Sequence, residues 1–566
     1  MGIRHALLPW LVIVASWGCA GTRGAPPPRE PAKKVDPLQA KIDAVFARFT
    51  TATPGCAVGV YRAGQTVLSR GYGMADLERG VPIRPNTVFD IASVSKQFTA
   101  TAIVLLAQEG KLSLDDSVRK YVPELPDYAA AITLRHLLQH TSGLRDYPDL
   151  LLLEGFDIQD VTTDYDALWA IIHQRALNFP PGSAWAYSNS GYFLASVIVK
   201  RVTGETLAAF SKRRIFDPLG MTHTHFHDDP AALVPNRALG YTPLEAEKYG
   251  VVWSGFSQTG DGAVMTTVED LAKWDANFYD PKLGGAKLLE TLRTSGKLAN
   301  GKLTHYGMGL QFESVRGIAH ESHSGGWVGY KAYFARVPSE RWSVAVLCND
   351  DNVPAGDLAE DVFAAIDPRL RSDESESAEA STVPPLLEPF AGEYVDPVSL
   401  DARRFSVENG ALVFRRGWSG GRAQTLVPLG PRMFRAKGGI ARYEFVGDSS
   451  GKPARVQRIV EGEDVTIYER AGARFSPNAK ELEAYTGRYT SDEMRNDATI
   501  QSIGDILYFG PWGRKPTIRL TPVRPDGFHA GATGFFFERD RTGKVTGLRL
   551  WDERSRNIRF KWKSRD

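Results

Sequence analysis

Three short segments carry side chains that could act together as an acylating centre. In Ser93-Val94-Ser95-Lys96 a hydroxyl and an amine stand three residues apart, at the head of the apolar run Gln97 to Leu106. If Ser93 opens a helix there, positions 93 and 96 lie one turn apart on one face, and the helix N-terminus favours negative charge near Ser93. A serine hydroxyl is a weak nucleophile until an adjacent base takes its proton, and a lysine in an apolar setting gives up its own proton more readily. Ser95 is the poorer candidate, because the residue three further on is Phe98. Tyr187-Ser188-Asn189 follows Pro180-Pro181-Gly182. A phenol beside a lysine can shuttle protons, and Asn189 could bond a substrate amide with both its donor and its acceptor. His323-Ser324-Gly325-Gly326 precedes the extended run Tyr330 to Val337. Glycines there let the backbone approach a substrate closely, and an N–H from that strand, with the N–H of Ser93, could form an oxyanion hole. Each segment alone also reads as a helix cap, a turn or a strand end; it is their combination that points to chemistry.

The surrounding elements must bring these segments together. Ala57 to Arg62, the turn Ala63-Gly64 and Thr66 to Tyr72 read as a hairpin. Ser95 to Gln108 reads as a helix closed by Gly110. Tyr330 to Val337, the turn Pro338-Ser339-Glu340 and Trp342 to Leu347 read as paired strands. Helices between a first and a last group of strands predict an α+β region over 38–370, one antiparallel sheet with helices packed on it. The acidic, polar stretch 371–386 reads as a linker. Beyond it the chain repeats: Phe390-Ala391-Gly392-Glu393-Tyr394 returns as Tyr485-Thr486-Gly487-Arg488-Tyr489. Leu412-Val413-Phe414 returns as Leu507-Tyr508-Phe509, and Phe445, Asp448, Gly451 and Lys452 as Phe537, Asp540, Gly543 and Lys544. These repeats define two homologous modules, 387–472 and 478–566, each with the short strands of a small antiparallel barrel or sandwich.

The chain has 566 residues, 43% hydrophobic and 24% charged, with a formal charge of +2. A large core is expected, and nothing in the charge points to a nucleic-acid partner. Residues 1–19 read as a signal peptide, with Ala6 to Ala15 too short to span a bilayer as a stable helix. Ser16-Trp17-Gly18-Cys19 is similar to a bacterial lipoprotein box, with Ser where Leu is usual, and 20–37 reads as a Pro-rich tether. The expectation is an exported, periplasmic protein anchored to the outer membrane through Cys19, with plain secretion the alternative. Cys56 and Cys348 lie in β-like runs and read as two buried thiols, although export would permit a bond. His136 and His140 have i, i+4 spacing without the glutamate of a zinc-protease helix. His223, His225 and His227 alternate and read as a solvated loop, so no metal and no cofactor is expected.

Together and in this order the three segments resemble the S-x-x-K, Y-x-N and K-T-G set of class C β-lactamases and penicillin-binding proteins. Phe89-Asp90-Ile91-Ala92-Ser93, Leu137 to Leu144, Pro218-Leu219-Gly220-Met221 and Gly260 to Trp274 are similar to further stretches of that family. The resemblance implies a β-lactamase/transpeptidase-like fold followed by two lipocalin-like barrels. It implies an acyl-enzyme on Ser93, with Lys96 and Tyr187 sharing the proton transfers. Asn189, His323 and Gly325 would line the substrate site, and the N–H groups of Ser93 and Gly326 would hold the oxyanion. The departure is His323 where the family has the lysine of K-T-G, which removes a fixed charge for a substrate carboxylate. An H-x-G version with two barrels resembles the D-aminopeptidase branch, which implies amide or short-peptide substrates. An esterase or weak β-lactamase on the same residues is the alternative, and from another class a non-catalytic binder of peptides or lipids in the barrels.

Overall fold

The computed structural model describes residues 36–565 apart from 245–247, 316–317, 372–385, 418–422, 437–440, 449–450, 461–464, 473–474 and 532. The segment read as a signal peptide, Cys19, and nearly all of the segments read as tether and linker lie outside the described residues.

Six strands organise the N-terminal region: β1 (Cys56–Arg62), β2 (Gln65–Tyr72), β3 (Gln311–Val315), β4 (Ile318–Trp327), β5 (Tyr330–Val337) and β6 (Trp342–Cys348). They form one antiparallel sheet in the order β3-β4-β5-β6-β1-β2. The first hairpin turns on Ala63 and Gly64, both at positive φ, the conformation a two-residue turn needs to match strand twist. The pleat explains why β1 and β6 are apolar on both faces, apart from Arg62 and Ser343 near the strand ends. Val58, Val60, Val344 and Val346 pack towards α1 (Pro37–Val45) and α4 (Ala355–Ile366). Ala57, Tyr61, Ala345 and Leu347 face the opposite core, built on the helices between the two strand groups. Both faces are covered, so neither parity of residue is polar.

Cys56 stands directly opposite Cys348 in the β1–β6 register, with Cα atoms 4.0 Å apart, and the two sulfurs are bonded. The expectation of two thiols is corrected here: each run looked like an apolar strand on its own, and only the register between strands nearly three hundred residues apart pairs them.

Of the helices between, α2 (Lys96–Gln108) and α3 (Asn189–Thr203) carry residues of the three segments. α2 is buried from Lys96 to Leu106, the signature of a central helix. It is followed closely by Gly110 at φ 70°.

The C-terminal repeats are two closed eight-stranded barrels, running from Gly392–Val395 to Thr466–Arg470 and from Gly487–Thr490 to Arg556–Ser564. Matched residues make matched bonds. Tyr394 Oη donates to the Phe390 carbonyl (3.3 Å) and Tyr489 Oη to the Tyr485 carbonyl (2.7 Å). Asp448 N–H donates to Lys452 O and Asp540 N–H to Lys544 O, at 2.8 and 2.9 Å. Aromatic rings fill the first barrel: Phe390, Tyr394, Phe405, Phe414, Phe434, Tyr443 and Phe445 form its core. The core of the second barrel is continuous with that of the N-terminal region. Arg145, buried there, is gripped by Glu493 of this barrel, while Arg495 pairs with Asp166 (2.6 Å) and stacks on Trp169 (4.5 Å).

Candidate active site

Ser93 sits in a turn of 3-10 helix, Ala92–Ser95, that leads directly into α2. The turn is held in a costly shape. Ala92 has φ 46°, a left-handed conformation that costs a non-glycine residue about 1 kcal/mol or more. Its N–H is fixed by the Asp90 carboxylate (2.7 Å), and Ser95 Oγ accepts from Val264 N–H (3.0 Å). His140 and Ala263, nearby, are also at positive φ.

Lys96 is fully buried, and its Nζ reaches three oxygens: Ser93 Oγ (3.1 Å), Asn189 Oδ1 (2.8 Å) and the Asp261 carbonyl (2.6 Å). As an ammonium it donates to all three. As an amine it donates to the last two and turns its lone pair on the Ser93 hydroxyl, so one geometry serves both states of a proton acceptor. Nζ also lies 4.8 Å from the centre of the Tyr187 ring and 5.4 Å from that of Tyr192.

Asn189 differs from expectation. Its Oδ1 is committed to Lys96, its Nδ2 donates to Asp146 Oδ2 (2.9 Å), and its backbone N–H donates to Asp146 Oδ1. It connects Asp146 to Lys96, with one amide hydrogen left over, where the sequence suggested both polar atoms would face substrate. Gly325 differs too. A Cβ there would come within 2.2 Å of the Ile91 carbonyl, so the glycine makes room for the nucleophile turn, not for substrate. Gly326, Ser324 and His323 line the cavity beside Ser93.

His323 is neutral, and its ring nitrogens are both occupied. Nδ1 lies 2.6 Å from the Ser324 carbonyl and must donate to it, so Nε2 accepts from Tyr306 Oη at 2.9 Å. Burial, helped by the charge of Lys96, pushes its pKa down to about 3. His140 is also held neutral, far below the usual imidazole range, chiefly by burial and then by Lys96. Its Nδ1 accepts from the Ser188 N–H at 3.1 Å. His136 accepts from Thr133 N–H within its own short helix (3.3 Å). His225 and His227 have ring centres 5.7 Å apart, and among the described residues no group of three or more His, Cys, Asp or Glu could hold a metal ion.

Ser93, Tyr187, Asn189, His323 and Gly326 line one cavity of about 830 Å³. Its charged lining is mostly acidic: Asp90, Asp146, Asp149, Asp261 and Glu553 against Arg237 and Arg554. Burial raises Asp90 and Asp261 each to about 6, and burial, then the charge of Asp146, pushes Asp149 well above the usual carboxylate range, which leaves Glu553 the most open of these acids. Glu553 and Arg554 belong to the second barrel, whose turn between Val545–Trp551 and Arg556–Ser564 forms part of the wall.

The family model described as Beta-lactamase matches residues 41–366, more than half of the chain. The chain belongs to the beta-lactamase family. Penicillin-binding protein 4* of Bacillus subtilis is 32% identical over 307 residues, which is 51% of this chain and 66%, just under two thirds, of that protein. A D-aminopeptidase of Cereibacter sphaeroides is 27% identical over 533 residues, 91% of this chain and 97% of that protein, so its match extends into the barrel region. Among solved structures, the octameric penicillin-binding protein homologue from Pyrococcus abyssi aligns with a TM-score of 0.55 and 25% identity, covering 76% of this chain and 99% of that one. Beta-lactamase-family membership accounts for the order of the three segments. It leaves Asp146, Tyr306 and the barrel residues Glu553 and Arg554 to be found in the structure. Asp146 lies two residues beyond the stretch Leu137 to Leu144, which did not include it. Arg554 had no local signal.

Proposed function

We propose that this chain is a serine hydrolase that opens amide bonds of small substrates bearing a free amino group, with D-configured aminoacyl amides or short peptides as the preferred class. Ser93 attacks the carbonyl, Lys96 and Tyr187 pass its proton to the leaving amine, and water then releases the acyl group by the same route in reverse. The N–H groups of Ser93 and Gly326 hold the oxyanion.

The observation that carries the substrate class is the charge of the cavity. His323 is neutral and saturated within the protein, so it offers a substrate carboxylate nothing. Glu553 reaches the wall with its side chain about half exposed, held by a weak surface pair with Arg416 (3.4 Å) that a substrate ammonium group can displace. The end-to-end match to a D-aminopeptidase supports the D-configuration. Aromatic packing inside the first barrel speaks against a ligand store there, and so against the pure binder.

The test is one comparison of D-alanyl and L-alanyl nitroanilide, nitrophenyl butyrate and nitrocefin, with Ser93→Ala as control. Ser93-dependent, D-selective amide cleavage is expected. Ester or nitrocefin turnover without amide cleavage would make it an esterase or weak β-lactamase on the same residues.

Export and anchoring through Cys19 belong to the same proposal. The Cys56–Cys348 disulfide supports an oxidising compartment. Palmitate labelling of the wild type that is lost in Cys19→Ser is the expected result, and labelling of neither would leave plain secretion.

A further inference from the structure

The second barrel reaches past the cavity wall to the residues around the catalytic lysine. Its turn is clamped by backbone contacts to the N-terminal domain. Asn178 Nδ2 donates to the Arg554 carbonyl (2.7 Å), and Asn178 Oδ1 accepts from Arg556 N–H (2.8 Å). The Asp146 N–H points at both the Arg554 carbonyl and Ser555 Oγ, each at 3.2 Å. Ser555 Oγ donates to Asp149 (3.2 Å), and Arg145 Nη2 donates to the Asn557 carbonyl (3.1 Å). The guanidinium this turn presents lies 4.9 Å from the centre of the Tyr187 ring, with Nη1 3.6 Å from Asp146 Oδ2. Tyr187 therefore has two cations within 5 Å of its ring centre, Lys96 at 4.8 Å and Arg554 at 4.9 Å. Asp146, 1% exposed, is the carboxylate that orients Asn189 and through it Lys96.

We infer that Arg554 is a positioning residue for the proton-transfer pair: the second barrel lends the active site a cation that balances Asp146 and holds Tyr187 and Lys96 in their working charge states. The inference rests on the reading of Lys96 and Tyr187 as the pair that moves the Ser93 proton. A nearby cation favours the deprotonated form of a neighbouring amine or phenol. Without Arg554, Asp146 is a buried carboxylate whose unbalanced charge acts in the opposite sense. The other titratable groups facing the pair are His140, Tyr192, Asp261, Tyr306 and His323 from the N-terminal domain, with Asp149 of that domain and Glu553 of the barrel beside Arg554. Both imidazoles are neutral, so neither replaces the missing charge.

The experiment is the pH profile of the wild-type chain, Arg554→Gln, Arg554→Lys and Ser555→Ala, on D-alanyl nitroanilide and on nitrophenyl butyrate. The rate of Ser93 labelling by a fluorophosphonate is followed alongside. Arg554→Gln is expected to lower turnover of both substrates about tenfold and to move the acid limb up by about half a pH unit or more. Arg554→Lys returns the limb towards its wild-type position, and Ser555→Ala, which loosens the turn but keeps the charge, leaves the limb in place. An unmoved limb in Arg554→Gln overturns the inference, as does a change confined to KM of the amide. If the wild type cleaves only the ester, the aminopeptidase reading fails, yet the ester limb still decides the role of Arg554. If no substrate turns over, the pH dependence of labelling decides it, and a wild type that does not label at all ends it.

Discussion

Asp146→Asn should cripple the enzyme while leaving it folded. Asp146 accepts two bonds from Asn189, one from the backbone N–H and one from Nδ2 at 2.9 Å. Those bonds fix the amide so that Oδ1 faces Lys96 Nζ at 2.8 Å. A carboxamide at 146 can accept one of them and must set an NH2 against the other donor. Asn189 then either loses that bond or flips and turns its own NH2 towards Lys96. A hydrogen bond to a charged group is worth about 1.5–3 kcal/mol. Losing either the bond at Asp146 or the bond at Lys96 removes about 1.5–3 kcal/mol, or about 10–10²-fold in kcat/KM if expressed in the transition state. The assay is steady-state kinetics of Asp146→Asn on the best substrate, beside its melting temperature and the rate of fluorophosphonate labelling of Ser93. A variant within threefold of wild type would refute the reasoning, because it would mean that Lys96 does not depend on the orientation of Asn189.

Three further outcomes stem from buried or bridging charge. His323 titrates at about 3 in the folded protein against 6.5 when unfolded; it therefore stabilises the fold fully above pH 6.5 and loses that contribution as pH falls towards 3. Between pH 7 and pH 5 the loss is about 2 kcal/mol, so urea unfolding at the two pH values should show a smaller difference in His323→Gln by about that amount; an unchanged difference would sink the assignment. Glu493→Ala leaves the Arg145 guanidinium buried with only Gln174 Oε1 (2.6 Å) and the Asn557 carbonyl for company. Removing one partner of a buried pair costs about 3–5 kcal/mol, and a large drop in melting temperature with earlier proteolysis of the second barrel is expected, partly reversed in the double variant with Arg145→Met. Arg416 of the first barrel meets Glu553 at 3.4 Å, both about half exposed, a pair worth under about 1 kcal/mol. Arg416→Ala, which frees Glu553 for the substrate ammonium, should lower KM for aminoacyl amides by up to about fivefold and leave kcat and ester turnover alone; a raised KM in substrate titrations would count against Glu553 as the ammonium partner.

What could be read from the chain beforehand was what local spacing determines. Ser93 and Lys96 are one helical turn apart, so a single apolar run reveals both. The barrels declared themselves because Phe390 and Tyr485, or Asp448 and Asp540, sit at equivalent places in two copies and do the same job in each. Register was not legible: Cys56 and Cys348 are partners only because β6 closes the sheet against β1. Nor was the purpose of a small residue. That position 325 needs glycine could be argued from its strand, but the atom it makes way for, the Ile91 carbonyl, comes from another part of the fold. Asn189 shows the same limit for polar groups. Its type promised two free bonding atoms, and only the packed structure shows that Lys96 and Asp146 claim them first.

The replacement of the family lysine by His323 and the arrival of Arg554 are best understood together. A lysine at position 323 would add a third cation to a buried site that already holds Lys96, and the depression of His323 shows how strongly that site resists one. Arg554 enters from the barrel, lines the cavity with its side chain 44% exposed, and is met by Asp146 at 3.6 Å, so a carboxylate of the protein partly balances its charge. The site thus keeps two cations where proton transfer needs them, while Glu553, its side chain about half exposed, is the carboxylate of the wall most open to substrate. Charge that a carboxylate-binding relative would spend on its substrate is set partly against Asp146 here. An acidic cavity selects for ammonium groups, so the change of one strand residue and the reach of a barrel turn amount to a single change of specificity. Their effects should be coupled: His323→Lys ought to be tolerated better in the Arg554→Gln background than in the wild type, and independent, additive effects of the two substitutions on kcat/KM would break the link.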